Sequence, residues 1–228
     1  TYPKLLQKRV IEDAAAIGIA FDADGDRLVM VDPKGELLDR DHQLYVITQD
    51  RLSRDVMNGG VVGTVMSNLG LEQALKDLGV PFLRAQVGDR HIMEGLHQRQ
   101  WTLGGEPSGH ILTLDRCSTG DAIVAGLQVL LAMQDADVSL RDLAAGLTKA
   151  PQVLVNVVVD SPAEVSRHPQ LLKITANYEQ GLGDRGRILV RPSGTEPLLR
   201  IMVEGQDEGE VMRIADDLAA HAKSIRAA

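Results

Sequence analysis

Short apolar runs alternate with amphipathic segments along the first 148 residues, and this alternation is the strongest constraint on the fold. The predicted strands are rich in apolar and β-branched residues and lie at 17–21, 28–31, 60–65, 80–87 and 101–103. The predicted helices have apolar residues at helical spacing and lie at 41–55, 71–78, from 88 onward, 121–133 and 140–147. Alternation with short connections predicts an α/β layer with helices packed on a largely parallel sheet.

The pattern changes after the segment Lys149, Ala150 and Pro151. Beyond this point strands are predicted at 153–159, 186–190 and 198–203, with helices over 163–180 and 208–222. Three strands and two helices are enough for a small α+β unit with an antiparallel sheet. The sequence therefore predicts a mixed α/β domain followed by a small α+β C-terminal domain.

Composition narrows the function classes and the compartment. The 228 residues contain 32 acidic and 24 basic side chains, an excess of 8 negative charges, which argues against general binding to nucleic acid or to an anionic membrane. No stretch reaches the roughly 18 consecutive apolar residues of a membrane span, and residues 1–9 lack the apolar core of a signal peptide. Cys117 is the single cysteine, so no internal disulfide can form. These features predict a cytoplasmic protein.

Three carboxylates alternate in the predicted loop between the first two strands, at Asp22, Asp24 and Asp26. Three anions converging on one point repel one another unless a hard divalent cation lies among them, and oxygen ligands alone favour Mg²⁺ over Zn²⁺. An EF-hand calcium loop is excluded, because it needs Gly where Arg27 stands and Glu where Pro33 stands. The alternative is an ordinary acidic turn on a solvated surface.

A second polar segment, residues 104–110, places glycines around a carboxylate, a hydroxyl and an imidazole. Glycine lets the backbone approach a ligand closely, and Glu106, Ser108 and His110 suit adjacent sugar hydroxyls. A plain turn with a capping Glu would have a similar sequence. Both interpretations stay open from this segment alone.

A third segment, residues 191–197, combines arginine with small hydroxyl residues around a glycine, and Arg200 follows shortly after it. Exposed backbone N–H groups and a guanidinium fork favour an anion, and phosphate above all. The segment lacks the lysine and spacing of a nucleotide-binding P-loop. A structural turn between two strands is the alternative.

Several other residues carry weaker signals. Arg90 follows a predicted strand-to-helix junction and can reach an anion, although Asp89 beside it can equally be a helix cap. The apolar stripe 123–131 is expected in the core. The remaining histidines show no metal-binding spacing and are expected to be ordinary surface or core residues: His42, His91, His97, His168 and His221.

The three segments, in this order, resemble the signatures of the α-D-phosphohexomutase family: a D-G-D-G-D-R metal loop, a G-E-x-S-G-H sugar loop and an R-x-S-G-T-E-P phosphate loop. The stretches 60–71, 87–90 and 151–157 are similar to the bacterial branch that isomerises glucosamine phosphates. The resemblance covers essentially the whole chain.

Family members have four domains, so the resemblance implies a division into three parts here. Residues 1–40 would be the end of domain 2 with the metal loop, 41–150 domain 3 with the sugar loop, and 151–228 domain 4 with the phosphate loop. The phosphoserine loop of domain 1 has no counterpart in these residues. We therefore expect a C-terminal piece of a longer enzyme, inactive by itself, whose partners include the missing N-terminal domains.

The activity implied by the resemblance is the interconversion of glucosamine 6-phosphate and glucosamine 1-phosphate through a phosphoserine enzyme and a bisphosphorylated sugar, for cell-wall precursor synthesis. Mg²⁺ would be the cofactor, held by Asp22, Asp24 and Asp26, and Arg27 and His110 would be catalytic. The implied residues for the phosphorylated hexosamine substrate are Arg90, Glu106, Ser108, Arg191, Ser193, Gly194, Thr195 and Arg200. The resemblance also leaves open a homodimer of the longer protein.

Two departures from the family pattern bear on these implications. Ala23 stands where the family has Gly, which matters if that position needs a positive φ, and Pro107 stands where the branch often has a polar residue.

Two other functions stay open. One is phosphomannomutase or phosphoglucomutase activity, and the other is a noncatalytic module that binds sugar phosphates.

Overall fold

The computed structural model describes residues 3–194 and 196–225 and divides into two compact units, the first ending at Thr148 and the second beginning at Lys149. Each unit has its own cluster of buried apolar side chains. None of the helices in this described part combines the length and apolarity needed to cross a bilayer. The predicted division of the first unit at residue 40 stays a prediction.

The first unit begins with helix α1 (Lys4–Glu12) and a small antiparallel sheet of strands β1 (Gly18–Phe21), β2 (Leu28–Val31) and β3 (Leu37–Leu38), in the order β1-β2-β3. Phe21 pairs with Leu28, so the intervening six residues form a tight loop at the end of the hairpin. All four residues of β2 are buried. The carboxylate loop is thus attached to a strand within the core.

A second, mixed sheet follows. Its elements in chain order are α2 (Arg40–Ser53), β4 (Val61–Thr64), α3 (Leu69–Asp77), β5 (Phe82–Ala85), α4 (Asp89–Arg99), β6 (Leu103–Gly105) and β7 (Ile111–Thr113). The strand order is β5-β4-β6-β7, with β4 parallel to β5 and β6, and β7 antiparallel to β6. The expected largely parallel α/β layer is confirmed. The edge strand β7 was not predicted.

Helices α5 (Ala122–Ala136) and α6 (Leu140–Ala144) complete the first unit. The expectation that the whole apolar stripe 123–131 lies in the core is wrong, because Ile123 and Leu127 are 55% and 58% exposed. The buried side of α5 is formed largely by small residues, and Gly126 lies close to Leu28 of β2. Because α5 packs closely against the hairpin, its face of small residues is buried and its larger apolar residues stay exposed.

The second unit is a small α+β fold, as predicted. Its elements are β8 (Gln152–Val158), α7 (Pro162–Ser166), α8 (Pro169–Leu182), β9 (Gly186–Pro192), β10 (Leu198–Gly205) and α9 (Glu208–Ser224). The sheet has the order β8-β10-β9 and is antiparallel throughout. The helical stretch predicted around 163–180 is divided into two helices, α7 and α8. Pro169 starts a new helix, and the side chain of His168 accepts from the Gln170 N–H as its cap.

Candidate active site

The loop between β1 and β2 is closed by Asp22. Its Oδ1 accepts hydrogen bonds from the backbone N–H groups of Asp26 at 3.3 Å and Arg27 at 3.2 Å, and its Oδ2 lies 3.6 Å from Arg27 Nε. Desolvation favours the neutral acid, but hydrogen bonds from Arg27 and Asp26, together with the charge of Arg27, lower the pKa of Asp22. The loop is therefore shaped around an ionised carboxylate.

The loop tolerates Ala23 without backbone strain. Its one positive φ is at Gly25, where φ is 72°, and the non-glycine residues with positive φ in the described ranges are all elsewhere. Replacing the family's glycine by alanine strains the backbone where φ is positive, and residue 23 is not such a position. The concern raised by Ala23 is thereby removed.

The carboxylate loop and the sugar-loop segment 104–110 meet in one place. Arg27 and His110 form an isolated antiparallel bridge, and His110 Nε2 contacts the Asp26 carboxylate directly. The N–H of Ala122, at the start of α5, donates to the Gly25 carbonyl at 3.0 Å. Two segments separated by about eighty residues thus lie together at one place.

Glu106 is the centre of this site. It is only 7% exposed, and its carboxylate accepts hydrogen bonds from the Gly88 N–H at 3.2 Å and from the Ser108 hydroxyl, while His110 Nδ1 lies 3.3 Å away. A buried carboxylate is stable only when such partners replace water. Glu106 therefore fixes the orientation of both neighbouring polar side chains.

His110 lies between two carboxylates. Burial by itself would lower its pKa, but hydrogen bonds to Asp26 and then Glu106, together with their charges, outweigh burial and raise the pKa of His110. Its two ring nitrogens face Asp26 and Glu106 respectively. The arrangement favours the protonated imidazolium, which can donate to both carboxylates.

A cavity of about 210 Å³ lies beside this cluster and is lined by Asp26, His110 and Arg90 among others. The Arg90 side chain is 84% exposed and pairs with Glu94 at 3.0 Å. The alternative in which Asp89 caps α4 is wrong, because the cap position is Gly88 and Asp89 accepts from the next residue, Arg90, inside the helix. Arg90 is therefore placed within reach of a ligand in the cavity.

The chemistry of the three aspartates fits a hard cation, although they are not gathered into a finished site. Asp26 Oδ1 is buried and has no hydrogen-bond partner within the described ranges, as expected for an oxygen that serves a ligand. Asp24 is exposed on the same turn. Among residues 3–194 and 196–225, no group of three or more His, Cys, Asp or Glu side chains is arranged to hold a metal ion.

Arg40 belongs to this neighbourhood and was not predicted. It is the first residue of α2, and it lines a second cavity of about 330 Å³ with Arg27 and Ser108. Its Nε is buried and has no hydrogen-bond partner among the described residues. Burial lowers the pKa of Arg40, the charge of Asp39 offsets part of this effect, and the charge of Arg27 adds to it. No motif contains Arg40, so only the fold reveals its position.

The phosphate-loop residues of the second unit lie on the hairpin of β9 and β10. Arg191 is directly opposite Arg200, and burial followed by the charge of Arg200 lowers the pKa of Arg191. Arg200 also contacts Glu196 at 3.0 Å, and its Nε is buried without a hydrogen-bond partner in the part of the chain that the structure describes. Two close guanidinium groups of like charge form a surface suited to an anion.

The hairpin tip and the neighbouring strand complete this surface. The N–H of Ser193 donates to the Leu198 carbonyl at 2.8 Å, and the space around Gly194 is open. Thr195, also predicted here, lies outside the described residues. Asn156 of β8 is directly opposite Arg200 and was missed, because cross-strand register is not visible in the sequence.

Comparison with known proteins identifies two family models along the chain. Residues 39–150 match the model described as phosphoglucomutase/phosphomannomutase, alpha/beta/alpha domain III, and residues 154–221 match the C-terminal domain of the same family. The chain is 51% identical over 216 residues to phosphoglucosamine mutase of Photorhabdus laumondii, covering 95% of this chain and 48% of that protein. It is 49% identical over 222 residues to that of Proteus mirabilis, with 97% and 50% covered. The chain thus spans about half the length of these curated relatives.

Solved structures share the fold. A phosphoglucomutase/phosphomannomutase family protein from Burkholderia thailandensis superposes with a TM-score of 0.79 at 24% identity, covering 98% of this chain and 51% of the other. N-acetylphosphoglucosamine mutase of Aspergillus fumigatus, in complex with GlcNAc-6P and magnesium, gives a TM-score of 0.70 at 20% identity, covering 90% and 51%. At these identities the likeness concerns the fold alone.

Proposed function

We propose, from the premise that this chain belongs to the phosphoglucomutase/phosphomannomutase family, that it is the C-terminal half of an enzyme that interconverts glucosamine 6-phosphate and glucosamine 1-phosphate. The relatives that are 51% and 49% identical to this chain are named phosphoglucosamine mutase, which favours an amino-sugar substrate. The observation that carries the site assignment is the link from Glu106 through His110 to Asp26, because it joins the sugar-loop segment to the carboxylate loop.

Asp22, Asp24 and Asp26 would hold Mg²⁺, together with an oxygen of a phosphoserine supplied by the upstream half. Bound there, Mg²⁺ offsets negative charge on the transferring phosphoryl group. The unpartnered Oδ1 of Asp26 supports this ligand set. Arg27, whose side chain borders the same loop, would stabilise charge on the equatorial oxygens of that group.

Glu106 and Ser108 would bind sugar hydroxyls that are present in both orientations of the substrate. The Ser108 hydroxyl donates to Glu106 in the free protein, so both groups are already oriented before a sugar replaces that bond. His110 would hold a proton at Nε2, between Asp26 and the cavity, and pass it to or from the reacting hydroxyl. Arg90, which lines the same cavity, would contact the substrate there.

Arg191 and Arg200, with Ser193, Gly194 and Thr195 of the same sequence segment, would bind the phosphate that does not react. Binding energy from this remote group would orient the sugar for transfer at the other end. Asn156 would add an amide donor to the same surface, because it shares the cross-strand row with both arginines.

Cytoplasmic localisation stays a prediction.

The function is tested with the full-length protein, measuring glucosamine 1-phosphate formation from glucosamine 6-phosphate with a bisphosphorylated sugar as activator. We expect turnover that is lost in Arg27→Ala and kept in Arg99→Met, an exposed arginine of α4. The 228-residue chain by itself should give no turnover. A higher kcat/KM with mannose or glucose phosphates would overturn the substrate assignment, and binding without any isomerisation would favour a noncatalytic module.

A further inference from the structure

We propose that Arg40 and Arg27 together form a binding site for a phosphate monoester, next to Ser108 and Gly109. The site lies in the first unit, separate from the anion surface formed by Arg191 and Arg200. This inference rests on the proposed function, since it names a residue that would hold the phosphoryl group beside the carboxylate loop. The sequence motifs supply only Arg27 at this place, and Arg40 adds a second positively charged side chain.

The position of Arg40 depends on a glycine. Gly109 has a φ of 130°, and a β-carbon built on it would lie 2.8 Å from Arg40 Nη2 and 2.8 Å from Arg27 Cβ. Any larger residue would collide with both arginines. The guanidinium of Arg40 therefore extends from α2 across the backbone of the sugar-loop segment, next to the side chain of Arg27.

One hydrogen-bond donor of Arg40 is unused among the residues that the structure describes. Its Nε is buried there without a partner, although a buried donor normally has one. The nearest carboxylates already have other partners. Asp39 accepts from the N–H groups of Asp41 and His42 as the cap of α2, and Asp22 holds the backbone of its own loop. Arg27 pairs with Asp22 at 3.6 Å and Asp39 borders the same cavity, but the Arg40 Nε has no acceptor among the described residues.

A phosphate monoester matches this gap in charge and in shape. It carries close to two negative charges at neutral pH, and a guanidinium fork binds two of its oxygens at once. The cavity that Arg27, Arg40 and Ser108 share, about 330 Å³, has room for such a group, and the Ser108 hydroxyl borders it. None of Arg27, Arg40 and Ser108 is aromatic, so these three residues offer a nucleotide base no aromatic side chain on which to stack.

The test is an NMR titration of this chain with inorganic phosphate at constant Mg²⁺. It follows the Nε–Hε resonance of Arg40 and the backbone amide of Gly109. We expect both resonances to shift and saturate together. In Arg40→Met the Kd read at Gly109 should rise about tenfold, as expected for loss of one charge-assisted contact. Arg40→Lys, which keeps the charge without the fork, should give an intermediate Kd, and Arg99→Met should match wild type.

Equal Kd values at Gly109 for wild type and a folded Arg40→Met would overturn the inference. If Arg40→Met fails to fold, an Arg40 Nε–Hε resonance that does not move in the wild-type chain overturns it equally. Parallel titrations with glucosamine 6-phosphate and with O-phosphoserine distinguish a substrate phosphate from the phosphoserine of the upstream half. Phosphate binding at Arg40 without hexosamine-phosphate turnover by the full-length protein would refute the proposed function alone. Turnover without binding at Arg40 would refute this inference alone.

Discussion

The two polar sites of this chain are built in opposite ways. In the first unit, Glu106, His110 and Asp26 are held by side-chain contacts between segments far apart in sequence, and Glu106 is buried. In the second unit, Arg191 and Arg200 are placed by the register of two adjacent strands, and both remain partly exposed. The first site is part of the fold of its unit, whereas the second lies on the surface of a sheet that is complete without it.

This difference determines how function and stability should respond to substitution. A change within a buried, mutually bonded cluster leaves other polar groups without partners, so it should affect both properties. A change on an exposed surface row should affect binding alone. The following substitutions test that separation, from the largest expected effect to the smallest.

Glu106→Ala should have the largest effect, because it removes the acceptor shared by Gly88, Ser108 and His110. We expect the free energy of unfolding of the first unit to fall by about 3 kcal/mol, and kcat/KM of the full-length protein to fall at least 100-fold. Chemical denaturation and steady-state kinetics measure the two effects. Glu164→Ala, at an exposed position of α7, serves as the control and should change stability by less than about 0.5 kcal/mol.

Arg191→Ala should lower kcat/KM by about 30- to 100-fold, as expected for loss of a charge-assisted contact to phosphate of about 2–3 kcal/mol. Stability should stay within about 0.5 kcal/mol of wild type, because the side chain faces another arginine. Arg187, on the same strand, is the matched control. Its Nε donates to the buried Glu204 at 2.5 Å, so Arg187→Ala should lower stability by about 3 kcal/mol while kcat/KM of the folded protein is kept. If Arg191→Ala lowered stability and Arg187→Ala lowered kcat/KM instead, the separation of binding from stability would be refuted.

Asp24→Ala should weaken Mg²⁺ binding about tenfold through loss of one carboxylate ligand. Asp24 is exposed, so the unfolding transition should not move. Isothermal titration of this chain with MgCl₂ measures the affinity, and Asp160→Ala, at an exposed position of the second unit, controls for the change in net charge. Identical Mg²⁺ affinities for Asp24→Ala and wild type would remove Asp24 from the proposed ligand set.

Ala23→Gly should have the smallest effect. Because residue 23 does not have a positive φ, glycine adds only flexibility to the unfolded chain and should lower stability by about 0.5–1 kcal/mol. Mg²⁺ affinity should stay within about twofold of wild type. Thermal unfolding and the same titration provide the measurements. A gain in stability would mean that the loop needs the conformation that alanine disfavours.

The features that the sequence predicted are the local ones. The predicted helices at 71–78 and 140–147 correspond to α3 and α6, whose caps Asn68 and Ser139 accept from N–H groups only two or three residues away. The alternating aspartates and the Glu106 segment were found for the same reason, since each is a short pattern with a defined chemistry. The succession of strands and helices similarly gave the correct fold class for both units.

The features that the sequence did not predict depend on contacts between distant segments. Arg40 has no motif, and only the approach of α2 to Gly109 makes it part of the site. Asn156 gains its position from cross-strand register. Ile123 and Leu127 were placed in the core by their hydrophobicity, but the close approach of α5 to the hairpin required the small residues of its other face. Packing geometry decided each case.

The direct pairing of Arg191 with Arg200 has a consequence for how this hairpin can evolve. Successive strand residues point to opposite sides of a sheet, so inserting or deleting one residue within β9 or β10 would turn an arginine toward the core and an apolar neighbour toward water. Lineages can therefore vary the composition of the hairpin, and even its tip, more freely than the number of residues in its strands. Gaps of a single residue should be rare there in functional descendants.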